Sequence, residues 1–149
     1  MNNIRTALQG QQGDRRLRLG IAGGEWKKMM ADATARTRFA SEVKKIIEQY
    51  EFDGVDFDFE WPANASEYNN YSATVIQMRS TLGKYVYFTA SLHPVSFKIS
   101  PEAIDALDFI SYQCYGPAVM RFPYEQFVKD GEAAVAYGIP KNKLVMGVP

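Results

Sequence analysis

Cysteine and histidine are nearly missing from this chain: its 149 residues contain one of each, Cys114 and His93. One cysteine cannot build an intrachain disulfide framework, and the pair is too few for a cysteine- and histidine-rich zinc site. The same scarcity leaves the compartment undecided, a secreted parent included. Net charge is missing as well, with 17 basic residues set against 17 acidic ones. There is no basic stripe with interleaved aromatics, so nothing electrostatic points to nucleic acid or to a membrane surface, and neutral partners fit better. No apolar run approaches the roughly 20 residues a membrane span needs. The opening Met1-Asn2-Asn3-Ile4-Arg5 does not have the basic-then-apolar layout of a secretory signal.

What is present is enough apolar material to bury a core, 46% hydrophobic and 13% aromatic, in a chain the size of one ordinary domain or part of one. Ile4 and Leu8 fit one face of a short helix, followed by a polar loop over residues 9–14. Residues 17–22 read as a strand closed by Gly23-Gly24. Phe39, Val43, Ile46, Ile47 and Tyr50 then recur at helical spacing. Tyr68, Tyr71, Val75, Met78 and Leu82 trace a second helical face, in which the tyrosines are read as packing. Residues 85–92 form a β-branched and aromatic run stopped by His93-Pro94. Ser100-Pro101 opens a short helix, with proline at its favoured first position. Residues 107–115 read as a strand ending at Gly116-Pro117, a helix around Tyr124, Phe127, Ala134 and Val135 stops at Gly138, and residues 144–148 form a last strand. Strands alternating with helices over short connections predict crossover units and a parallel sheet. No internal repeat or low-complexity linker divides the chain.

One stretch stands apart: Asp53-Gly54-Val55-Asp56-Phe57-Asp58-Phe59-Glu60-Trp61-Pro62. From Val55 to Trp61 apolar and acidic residues alternate, so a strand places Asp56, Asp58 and Glu60 on one face and Val55, Phe57, Phe59 and Trp61 on the other. In an antiparallel sheet this would be an ordinary strand with one wet face. In a helix-covered parallel sheet neither face meets bulk water, and in a closed barrel the acids face the interior. Unpaired buried carboxylates are costly and repel one another, so such a ladder persists mainly where it is used.

Alternate strand residues are about 6.5 to 7 Å apart, which sets Glu60 highest, at the carboxyl end where α/β barrels place their active sites. Mutual repulsion and partial burial should raise at least one carboxyl pKa, with Glu60 as the natural proton donor and Asp56, deepest, the more structural aspartate. Three oxygen ligands also admit Mg²⁺ or Ca²⁺, but the rigid spacing along one strand makes convergence on an ion awkward, and the expectation is no metal. His93 is expected to be a loop or rim residue rather than a general base.

The acidic stretch resembles the D-G-x-D-x-D-x-E signature of glycoside hydrolase family 18, the chitinases and related endo-N-acetylglucosaminidases, with Asp53, Gly54, Asp56, Asp58 and Glu60 all in register. Gly23-Gly24 followed by Trp26 resembles the glycine pair after the family's third barrel strand. Residues 85–92, 107–115 and 143–149 resemble its fifth, sixth and seventh. The resemblance implies an α/β fold, a (β/α)8 TIM barrel that is incomplete here, with about strands three to seven present and residues 1–149 forming a partial catalytic domain. A whole barrel takes about 250 residues, and an opened one exposes two strand edges, so the 149 residues are expected to be either a piece of a larger enzyme or one of two copies that self-associate to bury those edges.

The resemblance also implies a mechanism. Most retaining glycosidases use a carboxylate nucleophile, whereas in this family the substrate's own acetamido oxygen attacks the anomeric carbon. Glu60 would protonate the leaving oxygen and later activate water, Asp58 would orient the acetamido group and offset the oxazolinium charge, and Asp56 would share charge or a proton with Asp58. Tyr115 would hydrogen-bond the acetamido oxygen. Gln113, where the family often has methionine, and Trp61 are candidates for substrate contact. Gly116 stands where the family often has aspartate, which leaves linkage and substrate preference open. The implied partner is an N-acetylglucosamine-containing oligosaccharide or polysaccharide, and the implied cofactor is none. The implied activity is hydrolysis of β-1,4-linked N-acetylglucosamine. The alternatives are endo-β-N-acetylglucosaminidase action on N-glycan cores and a non-catalytic, lectin-like chitin-binding fragment.

Overall fold

A computed structural model describes residues 15–115 and 123–148, together with Ile4, Thr6 and Ala7. The expectations for Leu8, residues 9–14 and the stop at residues 116–117 lie outside the described residues. The order is β1 (Arg18–Gly23), α1 (Lys27–Ala31), α2 (Ala33–Tyr50), β2 (Gly54–Phe59), α3 (Ala65–Leu82), β3 (Tyr87–Leu92), α4 (Pro101–Ala106), β4 (Phe109–Gln113), α5 (Tyr124–Tyr137), a 3₁₀ turn at Lys141–Lys143, and β5 (Leu144–Gly147). The five strands lie side by side in sequence order, and every neighbouring pair is parallel. Consecutive parallel strands joined by helices make a partial (β/α)8 barrel.

The helices begin where short polar side chains capture free backbone N–H groups. Asp32 accepts from the Ala35 amide at 2.6 Å, and Ser100 accepts from Ala103 at 3.2 Å just ahead of Pro101. At the start of α3, Asn64 accepts from the Glu67 amide at 3.0 Å while the Glu67 carboxylate accepts from Ala63 at 2.8 Å. This reciprocal cap fixes the chain immediately after the acidic strand.

The core lies between the sheet and α2, α3 and α4. Val55, Phe57 and Phe59 of β2 are at most 2% exposed and meet Ala40, Val43 and Ile47 from α2 and Tyr71, Val75 and Met78 from α3. The Tyr71 ring lies edge-on to both Phe57 (5.3 Å) and Phe59 (5.6 Å), and its hydroxyl donates to the Phe57 carbonyl at 2.9 Å. Tyr71 is therefore packing, as its helical spacing predicts. Two members of the expected α2 face, Ile46 and Tyr50, are instead on the exposed side, because the seam against the sheet runs through Ala40, Val43 and Ile47.

β2 to β5 are each shorter than the sequence predicts, β4 by two residues at either end. β3 begins at Tyr87, whose amide donates to the Asp53 carbonyl, so Tyr85 stays outside the sheet and is 89% exposed. β2 ends at Phe59, so Trp61 is not the last member of its apolar face. It stands beyond the strand, across a cis Glu60–Trp61 peptide, and is 41% exposed.

Candidate active site

Because β2 is packed on its apolar face, its other side chains project from the opposite face of the sheet. They share that face with Gly20 and Ala22 from β1, Thr89 and Ser91 from β3, and Gln113 from β4. Gly20 pairs with Asp56 and Ala22 with Asp58, so the strand beside the acids carries almost no side-chain bulk. β2 stays paired with β1 to its end, and the Glu60 amide still donates to the Gly23 carbonyl at 3.1 Å. Its pairing with β3 stops earlier, at Phe57 and Ala90. Above that level the two strands part, and Asp58, Glu60 and Trp61 stand at the opening.

Gly24 takes part in this arrangement. A Cβ there would lie 2.8 Å from the Glu60 carbonyl oxygen, closer than side-chain carbons come to backbone, so only glycine lets the two segments approach. Gly54, at the other end of β2, is tighter still, with its hypothetical Cβ 1.9 Å from the Tyr87 carbonyl oxygen. The Asp53 carboxylate accepts from the Leu17 amide at 2.6 Å at that same end, away from the opening, so Asp53 ties strand starts together.

Asp56 is firmly held. Its Oδ1 accepts from the Thr89 hydroxyl and lies 3.5 Å from the Arg18 guanidinium, and its Oδ2 accepts from Ser91 at 2.8 Å. Arg18 also donates to the Thr89 hydroxyl and covers the Phe109 ring at 5.0 Å. Asp58, one step higher, accepts a side-chain hydrogen bond from the Gln113 amide at 3.4 Å. Burial pushes the Asp58 carboxyl up to about 6, helped by repulsion from Glu60 and then Asp56, while the Gln113 hydrogen bond pulls the other way. A hydrogen bond with Glu60 further favours the protonated form of Asp58. The expectation of a raised carboxyl falls on Asp58.

Gln113 thus reaches the acid ladder directly. Tyr115 lies two residues beyond β4 and is 42% exposed, with its ring 3.3 Å from where a Gly147 Cβ would stand. His93 lies in a loop, as expected, and is buried there at 6% exposed. Its Nε2 is 3.1 Å from the Tyr115 carbonyl, its Nδ1 accepts from the Val95 amide at 3.3 Å, and its ring lies 5.8 Å from that of Trp61. The sequence signal was the His-Pro stop after a strand, which marks a loop but not what the loop encloses. Cys114 is buried, and burial together with the nearby Asp130 charge pushes its thiol up to about 11, so it is no nucleophile at neutral pH. Among the described residues, no group of three histidine, cysteine, aspartate or glutamate side chains is arranged to hold a metal ion.

A parallel sheet flanked by helices, with carboxyl groups at the carboxyl end of one strand, is a segment of an α/β barrel, and that end is where such barrels place their active sites. The chain belongs to the glycosyl hydrolases family 18, whose model matches residues 3–149. Among curated proteins it is 24% identical over 164 residues to a class V chitinase of Arabidopsis thaliana, covering 88% of this chain and 43% of that protein. It is 24% identical over 171 residues to probable chitinase 2 of Drosophila melanogaster, covering 89% and 34%. The chain therefore spans less than half the length of these relatives. Among solved structures, the class V chitinase of Nicotiana tobaccum in complex with NAG4 superimposes with a TM-score of 0.81 at 22% identity, covering 99% of this chain and 52% of that one. The chitinase domain of a Clostridium difficile spore coat protein gives 0.78 at 21% identity, covering 99% and 52%.

Proposed function

We propose that residues 1–149 are part of a catalytic barrel that hydrolyses β-1,4-linked N-acetylglucosamine oligomers with retention of configuration, the substrate's acetamido oxygen acting as nucleophile. The observation that carries this reading is the unequal treatment of the carboxyl groups on β2, in which Asp56 is compensated and Asp58 is raised to about 6. Membership of the family and the chitinases among its relatives support it. In this scheme Glu60, exposed at the opening, gives its proton to the leaving glycosidic oxygen and later takes one from water. Asp58 turns to the acetamido group as positive charge develops there, and Gln113 holds its other oxygen. Asp56, fixed by Thr89, Ser91 and Arg18, is a stationary negative charge beneath. Tyr115 and Trp61 hold the sugar in line for attack.

The experiment is Glu60→Gln in the intact protein, assayed on a chitotetraose and on a high-mannose glycopeptide. Turnover of the preferred substrate is expected to fall at least about 100-fold, the usual contribution of a general acid, with binding retained. A variant that cleaves as fast as the parent would overturn the assignment. A parent that binds chitotetraose without cleaving either substrate would point to a lectin.

A further inference from the structure

We infer that His93 is a positioning residue that sets the spacing between Trp61 and Tyr115, the two half-exposed aromatic side chains flanking the opening. This rests on the reading of the opening as a site for N-acetylglucosamine oligomers. Across β3 the ladder stops short of this level, with β2 and β3 last paired at Phe57 and Ala90 and β3 and β4 at Leu92 and Tyr112, while β1 still holds Glu60 and β5 still holds Cys114 from the outer sides. Between them, one imidazole touches the segments that follow both β2 and β4. The Val95 amide can only donate, so Nδ1 accepts and Nε2 carries the hydrogen that goes to the Tyr115 carbonyl. The ring itself packs on Trp61, next to Glu60, with planes inclined at 56°.

The loop that presents His93 is closed on itself. Its carbonyl accepts from the Ser96 amide at 2.7 Å, forming an isolated bridge just past β3. The imidazole is thus anchored from its own strand and reaches outward in two directions. It serves Trp61 by packing and Tyr115 by a hydrogen bond, so replacements can separate the two tasks. Phenylalanine keeps a ring beside Trp61 and has no donor. Glutamine carries a donor near the place of Nε2 and has no ring.

The test compares His93→Phe, His93→Gln and His93→Ala in the intact protein carrying Glu60→Gln, which binds without turnover. Acrylamide quenching of tryptophan emission, taken as the difference from the matching protein with Trp61→Phe, reads the shielding of Trp61 without ligand, and titration with chitotetraose reads the assembled pair. The Phe variant is expected to keep the parent's quenching and to bind chitotetraose about tenfold more weakly, the loss of one hydrogen bond. The Gln variant should recover that affinity to within about threefold while Trp61 becomes about twofold more quenchable, a split that a merely structural histidine would not produce. If the Ala variant fails to fold, the Phe and Gln variants still decide. Parent-like affinity in the Phe variant, or parent-like quenching in the Gln variant, overturns the inference. If the Glu60→Gln protein binds no chitotetraose, the substrate reading fails by itself, and quenching alone judges the contact with Trp61.

Discussion

At the amino-terminal ends of the strands, Asp53, Arg79, Asp108 and Lys143 are each tied into backbone. Arg79 donates to the carbonyls of Ala106, Gly83 and Val86 at 2.6 to 3.0 Å and to the Asp108 carboxylate at 2.8 Å. Asp108 also accepts from the Phe88 amide at 2.7 Å, and the Lys143 ammonium donates to the carbonyls of Ile104, Asp105 and Leu107 at the end of α4. At the carboxyl ends, Asp58 has one long hydrogen bond from Gln113 and two negative neighbours. The first end uses charge to satisfy free carbonyls and amides. The second holds like charges together at an opening, and that costs stability. The contrast sorts the acids of one stretch by their partners. Asp53 and Asp56 are held by backbone and side-chain donors, while Asp58 has a long hydrogen bond from Gln113 and negative neighbours in Glu60 and Asp56.

The hardest way to break the comparison is to strike the folding end with one methyl group. In Gly54→Ala the new Cβ would meet the Tyr87 carbonyl oxygen at 1.9 Å, and both are backbone-fixed in neighbouring strands. Overpacking of this kind costs about 3 kcal/mol or more. The expected outcome in chemical denaturation is a large loss of stability or no folded protein. A variant with an unchanged midpoint would mean that β2 and β3 can separate at this end as they do at the other. Arg79→Met tests the same end more gently. It removes four hydrogen bonds and leaves the partly exposed Asp108 with the Phe88 amide but without its ion pair, an expected loss of about 2 kcal/mol in the same assay, with chitotetraose affinity unaffected.

The contrast between the two ends was only partly legible in the sequence. The five strands and α2 to α5 were, from alternating, aromatic or β-branched runs, from spacings near 3.6 and, for α4, from Ser100-Pro101, and α3 and α5 begin and stop close to where the pattern says; the short α1 was not. The acid ladder was legible for the same reason, since alternation in a parallel setting forces the acids onto one face. What the spacing could not tell was which acid is compensated. Asp56 draws its partners Arg18, Thr89 and Ser91 from positions 33 to 38 residues away, brought alongside only by the register of β1 and β3. His93 falls in a loop as its His-Pro context says, but its burial does not show in local pattern. Tyr85 was placed in a strand by its aromatic and β-branched neighbours and Trp61 by alternation, but Tyr85 lies before β3 begins and Trp61 after β2 ends.

The smallest effect expected has the opposite sign and isolates the carboxyl end. Asp58 is half-buried, and its carboxyl is raised from 3.8 to about 6, so the charged form is penalised in the folded protein. Above about pH 6 the folded state carries that penalty. As pH falls through 6 the folded carboxyl takes a proton before the unfolded one does, and below about 3.8 both are neutral and the penalty is gone. Asp58→Asn is neutral throughout and keeps an oxygen for Gln113. A shift of about two units corresponds to at most about 3 kcal/mol, and solvent screening at a half-exposed carboxyl reduces this to about 1 kcal/mol. The variant should therefore melt about 2 to 4 °C higher than the parent at pH 8, with the difference shrinking steadily toward pH 4.5. A gain that is constant across this range would place its origin in packing rather than charge, and a loss at pH 8 would show that the Asp58 carboxylate is stabilised in the fold as Asp56 is.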